Sequence, residues 1–164
     1  MTDNTIQKIG LKNENILKLE IVDEKGNSTG EFLEFDLEDI ELPFKYQEIL
    51  ERLKKSRQNL KNQLTIIDKK QDHKGKKLMS SNEEAKVKAL NEFYREQEEI
   101  YNIFLGENGV QKLLNGRNLR WTTLNEIDEL IGKQIAPLLD ITMDDITKKI
   151  KSKYSNKKED NVLE

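Results

Sequence analysis

The sequence predicts a mainly α, α+β fold: an N-terminal β-hairpin followed by four to five helices, two of them long and antiparallel. Three observations predict it. Two short runs alternate apolar and polar residues across a turn-forming stretch. Beyond residue 42 the apolar positions recur at helical spacing in two extended segments. Across the 164 residues, apolar side chains make up only 35% and charged ones 36%, against about 45–50% and 25% in an average globular domain, so each element has one apolar stripe to bury.

The first run sets Leu17, Leu19 and Ile21 against Lys18 and Glu20. Residues 24–30, Glu-Lys-Gly-Asn-Ser-Thr-Gly, are turn chemistry. The second run sets Leu33, Phe35 and Leu37 against Glu34 and Asp36. Together they predict a hairpin over 16–37. A lone hairpin is marginal in water, so this one is expected to lie on helices or to pair with strands of another chain.

Helices are predicted from about residue 42, where Pro43 suits a first turn. Tyr46, Ile49, Leu50, Leu53, Leu60, Leu64 and Ile67 then form one stripe, interrupted at Arg57, whose stem is expected to snorkel or whose charge is expected to meet an acid. Residues 68–80 read as an exposed, mobile, lysine-rich loop. Ser81-Asn82-Glu83-Glu84 matches a capping box, and a second long stripe runs from Ala85 through Phe93 and Tyr101 to Phe104 and Leu105, ended by Gly106. A one-turn helix is predicted around Val110, Leu113 and Leu114, followed by a turn over 115–118. Another capping box, Thr123-Leu124-Asn125-Glu126, opens a helix burying Leu124, Ile127, Leu130 and Ile131, with Pro137 as its kink or end. The expected organisation is an N-terminal extension over 1–15, a single domain over 16–140, a C-terminal helix over 141–154 and a flexible tail over 155–164.

Composition narrows the chemistry. With no cysteine, disulfide frameworks, cysteine-ligated zinc and thiol catalysis are excluded, and one histidine, His73, removes most imidazole-based sites. The N-terminal residues lack a basic and an apolar region, and no long apolar run follows, so neither a signal peptide nor a membrane span is expected and the protein is expected to be soluble and intracellular. The net charge of −3 sums unlike blocks: −7 over residues 1–44, +7 over 45–78, −4 over 79–140 and +1 over 141–164. An acidic chain is a poor general nucleic-acid binder, because phosphate contacts need a contiguous basic surface, and only the second block offers one.

No catalytic, cofactor-binding or metal-ligating set emerges. His73 has no nucleophile signature around it. The acidic pairs Glu83/Glu84, Glu98/Glu99 and Asp144/Asp145 diverge by about 100° on a helix, whereas hard cations need converging oxygens. Gly106-Glu107-Asn108-Gly109 has the spacing of a backbone-clamping RNA loop but an acidic interior, so helix termination is the expected role. The candidate partner contacts are Arg117, Arg120 and Trp121, together with Lys69, Lys70, Lys74, Lys76 and Lys77. Interfaces favour Trp and Arg as anchors, although Trp121, just before a helix cap, is expected first as a core plug. The lysines are expected first as a solvated loop, with an acidic partner or nucleic acid as the alternative.

The run from Leu17 to Tyr46, with its Phe32-Leu33-Glu34-Phe35-Asp36 exit, and the later run Ile100 to Asn118, with Phe104-Leu105-Gly106-Glu107-Asn108-Gly109 leading to Asn115-Gly116-Arg117-Asn118, resemble the tail assembly chaperones of long-tailed phages and prophages of Gram-positive bacteria. The resemblance covers residues 16–138. It departs at the glycine pair, which carries an extra residue, and at the lysine loop, which is longer. It implies a non-enzymatic factor of the host cytoplasm, without cofactor or membrane contact and expected to form a homo-oligomer, that binds the tape measure protein and helps recruit tail tube subunits. The alternative reading is a helical nucleic-acid-associated or regulatory adaptor using the lysine loop with Arg117 and Arg120.

Overall fold

The structure, a computed structural model, describes residues 6–12 and 15–139. The C-terminal helix and tail expected over 141–164 lie outside the described residues, as do residues 1–5, 13, 14 and 140. The chain runs β1 (Ile16–Val22), β2 (Ser28–Asp36), α1 (Leu42–Asp68), α2 (Ser81–Leu105), α3 (Gly109–Leu114) and α4 (Trp121–Leu130), with a π-helical turn over Ile131–Ile135 continuing α4. It is the mainly α fold with an N-terminal hairpin that the patterning predicts.

The two strands pair antiparallel with Leu17 opposite Phe35 and Leu19 opposite Leu33, so the alternating apolar residues share one face. At the turn, Asp23 accepts the backbone N–H groups of Lys25 and Asn27, both at 2.9 Å, and Gly26 takes the left-handed conformation, φ 81°. The register slips between Glu20 and Val22, where Gly30 also has positive φ and the Thr29 hydroxyl donates to the Ile21 carbonyl. This is a bulge, and it adds twist. The apolar face lies on helices: Phe35 is buried with its ring 5.3 Å from that of Phe104.

The long helices are antiparallel, since contacts between them pair late α1 with early α2 and the reverse. Asp68 meets Lys86, Arg57 meets Tyr101, and Tyr46 packs on Phe104. The α1 stripe is as patterned with one correction. Leu50 is 49% exposed, because the residues on either side of it along the helix face, Ile49 and Leu53, fill the seam. Two buried polar residues, Ser56 on α1 and Gln97 on α2, have no partner for Ser56 Oγ or for either terminal atom of Gln97.

Both capping boxes are displaced from their predicted places. The cap of α2 is Ser80, not Ser81: Ser80 Oγ accepts from the Glu83 N–H at 3.2 Å and Glu83 Oε2 accepts from the Ser80 N–H at 3.0 Å. Each serine lies three residues before a glutamate, and Ser81 Oγ is instead engaged in the preceding loop, accepting the His73 N–H at 3.1 Å. At α4 the helix starts at Trp121, and Thr123 serves inside its first turn, accepting the Arg120 N–H at 2.7 Å. Gly106 caps α2 with φ 92°, and α3 begins so close that a Cβ on Gly109 would stand 2.5 Å from the Leu105 Cβ. Helix reversal accounts for both glycines. Pro137 neither ends nor sharply breaks the last helix. Proline removes one amide donor, and the helix widens in the turn before it, where the Ala136 N–H reaches back to the Ile131 carbonyl. One core draws on every element, from Ile21 to Leu139.

Candidate functional site

The interruption at Arg57 turns out to organise a site. Arg57 Nη2 donates to Asp128 Oδ2 of α4 at 2.8 Å and to the Tyr101 hydroxyl of α2 at 3.0 Å. The Tyr101 hydroxyl donates in turn to Asp128 Oδ1. Three helices are thus clamped by one cluster. Burial pushes the Tyr101 phenol well above its usual range, and the hydrogen bond to Asp128 and the charge of that carboxylate push the same way. Arg57 Nε is itself buried without an acceptor.

Above this cluster a groove of about 530 Å³ opens between α1 and the start of the π turn. Its floor is apolar, formed by Tyr46, Ile49, Leu50 and Leu53 with Ile131 across from them. Lys54 and Lys61 stand on the α1 side. No family model, curated protein or solved structure matches this chain. The functional reading therefore rests on the residues themselves.

The contacts proposed from sequence fall in two separate places. Lys69, Lys70, Lys74, Lys76 and Lys77 lie in the exposed loop between α1 and α2. The base of that loop is tethered rather than loose. Asp72 Oδ1 accepts the Asn82 N–H at 3.1 Å, the Asn82 amide donates to the Lys70 carbonyl, and His73 and Ser81 exchange two hydrogen bonds. The Asp72 carboxyl is held below its usual range chiefly by the Asn82 backbone N–H. Lys77 is within 4.0 Å of Glu84.

Arg117, Arg120 and Trp121 sit beyond the other end of α2, whose 25 residues span about 37 Å. The lysine loop and these arginines therefore lie on separate parts of the surface. Arg117 is engaged by both carboxylate oxygens of Glu126, at 2.9 and 3.0 Å, which holds the Glu126 carboxyl below its usual range. Arg120 is the N-cap residue of α4. Trp121 is not a core plug: it is 54% exposed, because α4 begins at Trp121 itself and buries Leu124 and Ile127, three and six residues on. A shallow depression of about 730 Å³ between the hairpin turn and α4 is lined by opposite charges, Arg117 and Lys133 against Glu126 and Glu129.

His73 is exposed in the loop. Glu83 is used in the α2 cap and Glu84 in contacts with Lys77 and Lys88. Among the described residues no three acidic or imidazole side chains gather as metal ligands, and no helix is long and apolar enough to cross a membrane. Asp144 and Asp145 lie outside the described residues.

Sequence reasoning missed the groove. The signal was present in the spacing of Lys54, Arg57 and Lys61, three and four residues apart beside the apolar stripe of α1. What was missing was the knowledge that α4 would cover only part of that stripe.

Proposed function

We propose that this chain is a non-enzymatic phage tail assembly chaperone that acts in the host cytoplasm, binds the tape measure protein and helps bring tail tube subunits to it. The observation that carries the reading is the apolar groove beside α1, left open by its own fold and floored by Leu50. Such a groove suits an amphipathic helix, which lays its apolar face down and keeps its polar face in water. The order of hairpin, long helix, aromatic helix and Gly-Asn turn supports the same family. The polar cluster beneath the groove supports a structural rather than a chemical role, since both carboxylate oxygens of Asp128 and the Tyr101 hydroxyl are already engaged within it.

The test is co-expression of the full chain with the long, coiled-coil-rich tape measure chain that this reading predicts to be encoded immediately downstream. A soluble tape measure chain that co-elutes with this protein, and whose association survives raised salt, is the expected result. A tape measure chain that stays insoluble or elutes alone overturns the reading. If the protein instead binds DNA or RNA with an affinity that falls steeply with salt, the adaptor alternative acting through the lysine loop takes its place.

A further inference from the structure

We propose that the groove beside α1 selects its client by charge as well as by hydrophobicity, taking amphipathic helices whose apolar stripe is flanked by carboxylates three to four residues apart. This rests on the chaperone reading and deepens it, by assigning the recognition of a client helix to named residues.

The cations form a line. Lys54, Arg57 and Lys61 sit at positions i, i+3 and i+7 of α1, which places them on one face over about 10 Å of helix. A client helix lying along α1 presents Glu or Asp at the same rise if those residues recur every third or fourth position. From Tyr46 to Lys61 the wall is about 22 Å long, enough for about four turns of client. Leu50, exposed beside the otherwise buried Ile49 and Leu53, is the floor residue such a helix would cover.

Charge decides between occupants. The other ionic group in the lining is Asp128, and both of its oxygens are already taken by Arg57 and Tyr101. Lys54 and Lys61 are exposed and make no ion pair among the described residues. The lining therefore presents uncompensated positive charge over an apolar floor. The chain's own residues 141–154 are ill suited to it, since Lys148, Lys149, Lys151 and Lys153 outnumber Asp144 and Asp145. Groove-to-groove pairing of two copies would set the same lysines against each other. A nucleic acid would meet two uncompensated cations, Lys54 and Lys61, but gain little from a floor of aliphatic side chains, which offers no stacking surface apart from Tyr46.

The test uses the full chain and two labelled synthetic peptides of about 18 residues with the same leucine stripe, one flanked by Glu and the other by Lys, titrated by fluorescence anisotropy at low salt. The Glu-flanked peptide is expected to bind about tenfold more tightly, with the gap narrowing as salt rises. Substituting both exposed lysines, Lys54→Glu and Lys61→Glu, is expected to invert the preference, and Leu50→Glu to weaken both peptides. Circular dichroism and melting verify that these surface variants remain folded.

Equal affinity for the two peptides, no binding of either, or a preference that survives the double charge reversal overturns the proposal. So does tighter peptide binding by a D144K/D145K variant, which would make the chain's own C-terminal residues the occupant. A dimer that dissociates on the charge reversal would make a second copy the occupant, with the same consequence. Tape measure association that persists without charge selectivity overturns this inference alone. Charge selectivity without tape measure association overturns the chaperone reading alone.

Discussion

Replacing Asp128 by asparagine keeps the side-chain volume and removes the charge that holds α1 and α2 to α4. The magnitude follows from the burial of the pair. Arg57 and Asp128 have side chains 34% and 32% exposed, and their closest atoms are 2.8 Å apart. Fully exposed pairs contribute about 0.2–1 kcal/mol, whereas removing one partner of a buried pair costs about 3–5 kcal/mol. An intermediate burial, discounted for solvent screening, and the loss of one acceptor for Arg57 or Tyr101 give about 2 kcal/mol for Asp128→Asn, equivalent to a fall in Tm of about 6 °C. Glu129→Gln supplies a matched control on the same helix, because Glu129 and Lys133 are 69% and 75% exposed and 3.7 Å apart, and it is expected to shift Tm by less than about 2 °C. Thermal melts followed by far-UV circular dichroism compare the two, and a double-mutant cycle with Arg57→Met isolates the pairwise coupling at about 1–2 kcal/mol. If D128N and E129Q melt within about 1 °C of each other, or the coupling is below about 0.3 kcal/mol, the cluster does not clamp the helices and the argument from burial fails.

Three further outcomes are expected. Phe35→Ala and Phe104→Ala are each expected to destabilise by about 3 kcal/mol or more in chemical denaturation, since both rings are buried and pack 5.3 Å apart in a core with few aromatics; a parent-like midpoint would contradict the packing. Gln97→Leu is expected to raise Tm, by about 1–2 kcal/mol of stability, because it removes an amide buried with neither terminal atom bonded; a loss of stability would mean the amide has a partner. In an alkaline spectrophotometric titration of the parent compared with Tyr101→Phe, the Tyr101 phenol is expected to ionise only above the usual phenol range. Its folded pKa lies above the unfolded value of about 10, so the unfolded state loses this proton first. The associated stability is present below pH 10 and declines as pH rises above it. A Tyr101 phenol that ionises at about 10 in the folded protein would contradict its burial.

Local patterning accounts for the elements. The alternation of Leu17, Leu19 and Ile21 with Leu33 and Phe35 is enough to predict a hairpin, because a strand's two faces differ with period two. The stripe from Tyr46 to Ile67, the stripe from Ala85 to Leu105 and the stop at Gly106 define two long helices through side-chain periodicity and the glycine cap. Even the exception at Arg57 was visible as an exception. Its meaning was not, because Asp128 lies 71 residues away and no short-range rule connects them. The cap of α2 was displaced because the adjacent serines Ser80 and Ser81 offer equivalent hydroxyls, and that of α4 because packing starts the helix at Trp121, with Arg120 at the cap and Thr123 inside the first turn. Tertiary packing likewise decided that Trp121 stays exposed while Leu124 and Ile127 enter the core, and that Leu50 is left out of the seam its neighbours fill. Sequence by itself determined which residues could be apolar faces, because periodicity is a property of each element alone. Only the tertiary structure decided which of those faces remained open, since burial depends on how far a neighbouring helix extends over them, and at the groove beside α1 the neighbour is α4 with its π turn, held there by Arg57 and Asp128.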